Sequence, residues 1–157
     1  MKRIKIIVVD RTRSPFIREG ELHYFERIKN YADPKIFEVK PVKVTKGKNS
    51  SDIIKQEGDS LLKKIQPSDY FFALDSSGKL YSSEGFAKSL GRLIEESPSI
   101  AFVVGGPLGL SPEVLSSSDQ LLSLSRLTFT HEITRLILLE QIYRAFTILR
   151  GEKYHKF

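Results

Sequence analysis

Three short, almost uninterrupted apolar runs constrain this chain more than any other feature. RIKIIVV occupies residues 3–9, DYFFALD residues 69–75 and IAFVV residues 100–104. Runs of this length, rich in β-branched and aromatic residues, predict strands buried on both faces, because a strand with one wet face alternates apolar and polar positions. Residues 36–44 do alternate, and Pro41 places that strand at an edge or a bulge. Helical spacing fills the intervals. Ser14-Pro15 opens a helix to residue 31, cap followed by proline, with Phe16, Ile17, Leu22, Phe25 and Ile28 inward. A second helix over 51–65 turns Ile54, Leu61, Leu62 and Ile65 inward, with Gly58 as its weak point. A third over 83–96, capped at Ser83, turns Phe86, Leu90, Leu93 and Ile94 inward. Ser111-Pro112 starts a short helix, and 130–149 form a long one. SSGK at 76–79 reads as a turn, and LLSLSRLTF at 121–129 as mixed strand and loop. Strand and helix alternate without repeat or linker. The expectation is one α/β domain over 1–157, a mostly parallel sheet with helices on both faces.

Composition narrows the chemistry. Cysteine is absent, which excludes disulfides, zinc–thiolate sites, iron–sulfur clusters and thiol nucleophiles. The histidines are His23, His131 and His155, too few for a multi-histidine metal centre, so no metal is expected. No apolar stretch has the length of a membrane span. The N-terminal IIVV run is too short for a signal peptide and is followed at once by Asp10 and Arg11, so a cytoplasmic protein is expected. The formal net charge of +6 is unevenly placed. Residues 1–50 carry 13 basic and 6 acidic side chains, 51–125 carry 6 and 10, and 126–157 carry 6 and 3. Basic ends flanking an acidic middle invite an anionic partner.

Beyond the strand at 100–104 comes GGPLGL. It lacks the Lys-Ser/Thr of a phosphate-binding loop and the GxGxxG dinucleotide spacing, so a glycine turn and a cofactor loop both remain open readings. Ligands in open α/β sheets sit beyond the carboxyl ends of the strands, where this loop falls.

The last third is more specific. It reads AFVVGGPLGLSPEV, then LSLSRLTFTHEITRLILLEQIYRAF, then RGEKYHKF. Together with Glu57-Gly58, FFALD and SSEGFA at 82–87, in that order, these blocks strongly resemble the RlmH family of ribosomal RNA large-subunit methyltransferases, of the SPOUT superfamily. The resemblance covers nearly the whole chain. It implies a C-terminal trefoil knot, a homodimer, S-adenosylmethionine as methyl donor, and N3 of a pseudouridine in a hairpin loop of 23S rRNA as acceptor. It places the cofactor on Leu74, Gly105, Leu124, Ser125, Arg126, Leu127, Thr128 and Phe129. Apolar walls and backbone hydrogen bonds suit adenine, and glycine at 105 lets the backbone come close. The catalytic candidates are Arg135, Arg144, Tyr154 and His155. His155 or Tyr154 would assist removal of the weakly acidic N3 proton, and Arg135 or Arg144 would stabilise the imide anion. Salt bridges to Glu132 or Glu140 at helical spacing are the plainer role for those arginines. His131 is expected to order the cofactor loop or cap the last helix, and His23 to be a surface or packing residue. The apolar last helix either lies deep in the monomer or packs on its copy across a two-fold axis, and the resemblance favours the copy.

Two segments depart from the family pattern. Asp10-Arg11 stands where many members carry Gly-Lys, and residues 40–50 are divergent and basic. Two other functions fit the charge: a non-catalytic rRNA- or ribosome-binding protein, and a SPOUT methyltransferase acting on tRNA. In a dimer, the basic ends of one subunit are expected beside the cofactor pocket of the other.

Overall fold

The apolar runs become the middle of a sheet. A computed structural model describes residues 1–156. Its elements are β1 (Arg3–Val9), α1 (Pro15–Ile28), β2 (Asp33–Val39), α2 (Ser50–Leu62), β3 (Asp69–Leu80), α3 (Ser83–Glu96), β4 (Ser99–Val104), α4 (Pro112–Ser117), β5 (Gln120–Ser123) and α5 (His131–Leu149). The five strands lie in the order β2-β1-β4-β3-β5, and every pairing is parallel. Successive residues of β1 serve two cores. Ile4, Ile6 and Val8 join α1, α3 and α5 on one face, while Ile7 and Val9 join α2 and α4 on the other. Full burial of each such side chain stabilises by roughly 1.5–3 kcal/mol relative to exposure.

Lys5 interrupts this pattern. Its buried ammonium donates to Asp69 Oδ2 at 2.7 Å and to the Lys64 carbonyl at 2.6 Å. Burial pushes the Asp69 carboxyl up, but hydrogen bonds from the Gln66 amide, Lys5 and the Ser99 hydroxyl outweigh it and hold the group below its ordinary value.

Several local expectations are corrected. The second strand starts at Asp33 and stops at Val39, so Pro41 lies beyond it. Pro34 sits within it, which is tolerated because β2 is an edge. On α1, Ile17 and Ile28 are buried, but Phe16 and Leu22 are 68% and 60% exposed. The inward face of α2 runs through Ile53, Glu57, Gly58 and Leu61, with Ile54 only partly covered. Gly58 is a contact point there, since a Cβ would lie 2.4 Å from Ser111 Oγ. SSGK is no turn between elements. β3 continues to Leu80, and residues 75–78 bulge from the ladder, so that Leu74 and Lys79 both face Leu122. Gly78 permits this, because a Cβ would meet the backbone of Leu121 and Leu122 at 2.6–2.7 Å. The cap of α3 is Ser82, which accepts from the Gly85 amide at 3.0 Å.

From β5, at the sheet edge, the chain returns so that α5 lies between α1 and α3 and against β4. Three neighbours within one protomer thus account for much of its apolar circumference. Gly20 lets α1 approach Leu136, and Gly91 lets α3 approach Leu149.

Candidate active site

Parallel strands end together, and loops leaving one sheet edge leave space between them. Here β3, β4 and β5 end around a cavity of about 520 Å3, within the size range of small-molecule sites. Three segments wall it: the β3 bulge, the glycine loop after β4, and the loop between β5 and α5. Each has a local cause. The bulge is tied by Asp75, whose Oδ2 accepts from the Ser77 amide at 3.0 Å and from the Ser77 hydroxyl. The glycine loop folds on itself through a bridge between Gly106 and Gly109, with Gly109 at φ +86°. A Cβ at Gly105 would stand 2.7 Å from the Gly109 carbonyl carbon, so the fold-back itself requires glycine there. In the third loop, Ser123 Oγ donates to the Ser125 carbonyl, and Ser125 Oγ accepts from the Leu127 amide at 3.0 Å.

Of the residues expected at the cofactor, Leu74, Gly105, Leu124, Ser125, Leu127, Thr128 and Phe129 line this cavity. Arg126 is exposed and does not. Asp75 and His131, which the sequence did not assign to cofactor or catalysis, are the only aspartate, glutamate, histidine, lysine or arginine residues in the lining among the described residues. Thr130, not His131, caps α5, accepting from the Ile133 amide. His131 is therefore the first helical residue and faces the cavity. Burial first, then the Arg135 guanidinium one turn on, holds its imidazole below the ordinary histidine range.

The four catalytic candidates fall in two places away from the cavity lining. Arg135 is 2% exposed and lies behind the first turn of α5. It donates to Thr12 Oγ1 at 3.1 Å and to the Val9 carbonyl, while Thr12 donates to Glu21 at 2.8 Å. This chain ties α5 to the end of β1 and to α1. Glu132 closes the same joint by accepting from the Arg13 and Ser14 amides, so it does not partner Arg135.

Arg144, Tyr154 and His155 do meet one another. Arg144 pairs with Glu140 at 2.6 Å, the plainer role expected of it, and lies over the Tyr154 ring at 4.7 Å. The Tyr154 hydroxyl donates to Glu140 at 2.9 Å, and burial, followed by Tyr24 and Glu140 beside it, pushes the phenol pKa up. His155 sits between Arg144 Nη1 at 3.0 Å and Glu84 Oε1 at 2.8 Å. The tail is thus a folded cluster of cation and aromatic rings. Arg144 stands 13 residues after His131 on one helix, roughly 20 Å along the axis. Within one protomer the cluster is remote from the cavity.

Sheet order and cavity define an α/β protein with a cavity of small-ligand size at the carboxyl edge of a parallel sheet. Comparison with known proteins is more particular. Residues 1–155 match the family described as "Predicted SPOUT methyltransferase". The chain is 40% identical to the ribosomal RNA large subunit methyltransferase H of Halothermothrix orenii, over 98% of this chain and 99% of that one. It is 41% identical to the protein of that name from Carboxydothermus hydrogenoformans and 39% identical to that from Enterococcus faecalis, each with the same coverage. A probable methyltransferase from Bordetella pertussis Tohama I shares the fold, with a TM-score of 0.57 and 13% identity over 92% of this chain and 94% of that one. The chain belongs to the ribosomal RNA large subunit methyltransferase H family of SPOUT methyltransferases.

Proposed function

We propose that this methyltransferase moves a methyl group from S-adenosylmethionine to N3 of a pseudouridine in a hairpin loop of 23S rRNA, as a cytoplasmic homodimer with the trefoil knot of its family. One observation carries the reading. Seven of the eight positions that the family resemblance assigns to the cofactor line one cavity at the carboxyl ends of the strands. The donor set fits the group. Leu74, Leu124 and Leu127 offer apolar walls to an adenine, the 124–129 backbone offers hydrogen bonds to its edge, and the folded glycine loop brings main chain close to the rest. The bound cofactor supplies a methyl group on a positively charged sulfur, ready for in-line displacement.

What remains for this chain is to position the acceptor and manage its charge. Arg144, Tyr154 and His155 suit an RNA base, since a cation beside rings both stacks and neutralises. Their distance from the cavity of their own chain favours the partner's cavity as their place of work. Phe16 and Leu22 on α1 and Ile133 at the start of α5 are exposed apolar residues that a second copy would cover. Between the two arginines, Arg144 is the one placed to meet an imide anion. Arg135 is 2% exposed and acts as a positioning residue for α5, whereas the Arg144 side chain, although its nitrogens serve Glu140 and His155, keeps 22% of its surface open.

Calorimetry with S-adenosylmethionine, followed by methyl transfer to ribosomes from cells lacking the gene, tests the reading. Micromolar binding and one methyl per large subunit are expected. Absence of cofactor binding would point instead to a non-catalytic RNA-binding protein, and methylation of tRNA alone to a different SPOUT substrate.

A further inference from the structure

We infer that His131 is the base that takes the N3 proton of the acceptor pseudouridine, an inference that rests on the function proposed above. N3 lies between two carbonyls and must shed its proton to become a good nucleophile. A base has to lie in the wall of the methyl-transfer cavity and hold a free lone pair. Among the described residues only Asp75 and His131 meet the first condition among side chains that accept protons near neutral or acidic pH. Asp75 already accepts from both the amide and the hydroxyl of Ser77. The ring of His131 makes no hydrogen bond within the protein among the described residues. Its ring nitrogens are left for a ligand.

The tail is less suited to this step. A guanidinium can only donate, so His155 Nδ1 uses its lone pair on Arg144, and Nε2 then carries the hydrogen that it gives to Glu84. The phenol of Tyr154 holds its proton firmly. His155 and Tyr154 thus bind the base, and His131 accepts its proton. In the step, the N3–H bond breaks and the proton passes to a ring nitrogen of His131. The pair left on N3 forms the new N–CH3 bond, and the pair of the broken C–S bond stays on sulfur. One positive charge enters on sulfur and one leaves on imidazolium.

The surroundings support a neutral imidazole before reaction. The charged groups that face it are Arg135 and Glu132 on its own helix, Asp10 with its partner Arg13 on the loop after β1, and Asp75 across the cavity on β3. Arg135 and burial together outweigh Glu132 and Asp10, so the ring is uncharged at neutral pH and able to accept.

Single-turnover methylation of unmethylated ribosomes by wild type, His131→Asn and His155→Asn, from pH 5.5 to 9, tests this. In wild type the rate should rise tenfold per pH unit and level off above the imidazole pKa. His131→Asn should lose 10²–10⁴-fold at pH 7 and then rise with pH without a plateau, narrowing the deficit. His155→Asn should lower the rate and keep the wild-type profile. Two further readouts separate base from scaffold. S-adenosylmethionine affinity of His131→Asn should stay within twofold of wild type, and a nitrogen NMR titration of the free protein should show a His131 pKa below the ordinary value. An unchanged profile in His131→Asn, or a loss of activity matched by a loss of cofactor binding, overturns the inference. If wild type binds the cofactor but leaves the pseudouridine unmethylated, the proposed function fails, and this assignment falls with it.

Discussion

Replacing Gly58 by alanine should destabilise the protein, although it lies mid-helix, where alanine ordinarily stabilises by about 1 kcal/mol. The reason is the contact between α2 and α4. An alanine Cβ would stand 2.4 Å from Ser111 Oγ, 3.0 Å from Ser111 Cβ and 3.2 Å from Val114 Cγ2. The serine cannot simply swing away. It is buried, and its hydroxyl caps α4 by accepting from the Val114 amide at 3.2 Å. Forcing a methyl into such a place costs about 1–3 kcal/mol. Giving up the cap costs about 1 kcal/mol more, which the helix preference of alanine roughly offsets. The net loss is about 1–3 kcal/mol, or a fall of roughly 2–12 °C in Tm for a chain of this size. Ser111 follows directly on Leu110 of the glycine loop, so cofactor affinity should fall as well. Urea and thermal melts followed by circular dichroism, at fixed protein concentration because a dimer shifts Tm by mass action, measure the effect. The double variant Gly58→Ala with Ser111→Gly should recover at least half of the loss, since glycine caps nearly as well and leaves room. A rise in Tm for Gly58→Ala, or no recovery in the double variant, would refute the packing argument.

Other predictions follow from single sites. Asp10 holds φ +66°, where a non-glycine residue costs about 1–2 kcal/mol, and its pair with Arg13 is exposed. Denaturant melts should therefore rank Asp10→Gly equal to or above wild type and Asp10→Ala below it. Lys5→Met leaves Asp69 buried without its cation and should cost about 3–5 kcal/mol at pH 7, with most of that recovered by adding Asp69→Leu. Because the folded Asp69 carboxyl is held below its unfolded value, its contribution is full above that unfolded value and is lost as pH falls through the folded one. The gap between wild type and Lys5→Met should then close in acid, below about pH 4, in melts repeated across pH. Mixing a chain cut after Lys153 with a Leu124→Arg chain should restore methylation in the mixed dimer, while each parent stays inactive, if tail and cavity act across the interface.

Much of the fold was legible because β1 and β4 are central strands whose interiors, Lys5 apart, carry no polar position to confuse the pattern. The edges were less so. Pro34 hides the start of β2, and an edge strand tolerates it for a reason visible only once the strand order is known. The face of α1 was misread because Gly20 and Glu21 point inward. One makes room for Leu136 and the other accepts from Thr12, so apolar character marks that face poorly. The β3 bulge was unreadable because SSGK is also good turn sequence. At the cavity, Leu124, Ser125, Leu127, Thr128 and Phe129 were singled out through family blocks rather than spacing. His131 had a signal of its own, a histidine one residue after a threonine cap at the start of the helix that follows this loop. Burial of Arg135 had none, because the carbonyl that holds it comes from Val9, 126 positions away.

The central claim is methylation of one pseudouridine N3 in large-subunit rRNA, and mass spectrometric mapping of rRNA tests it most directly. Cells lacking the gene should show one pseudouridine lighter by a single methyl group, with the methyl restored by the wild-type gene. An unchanged map would contradict the account.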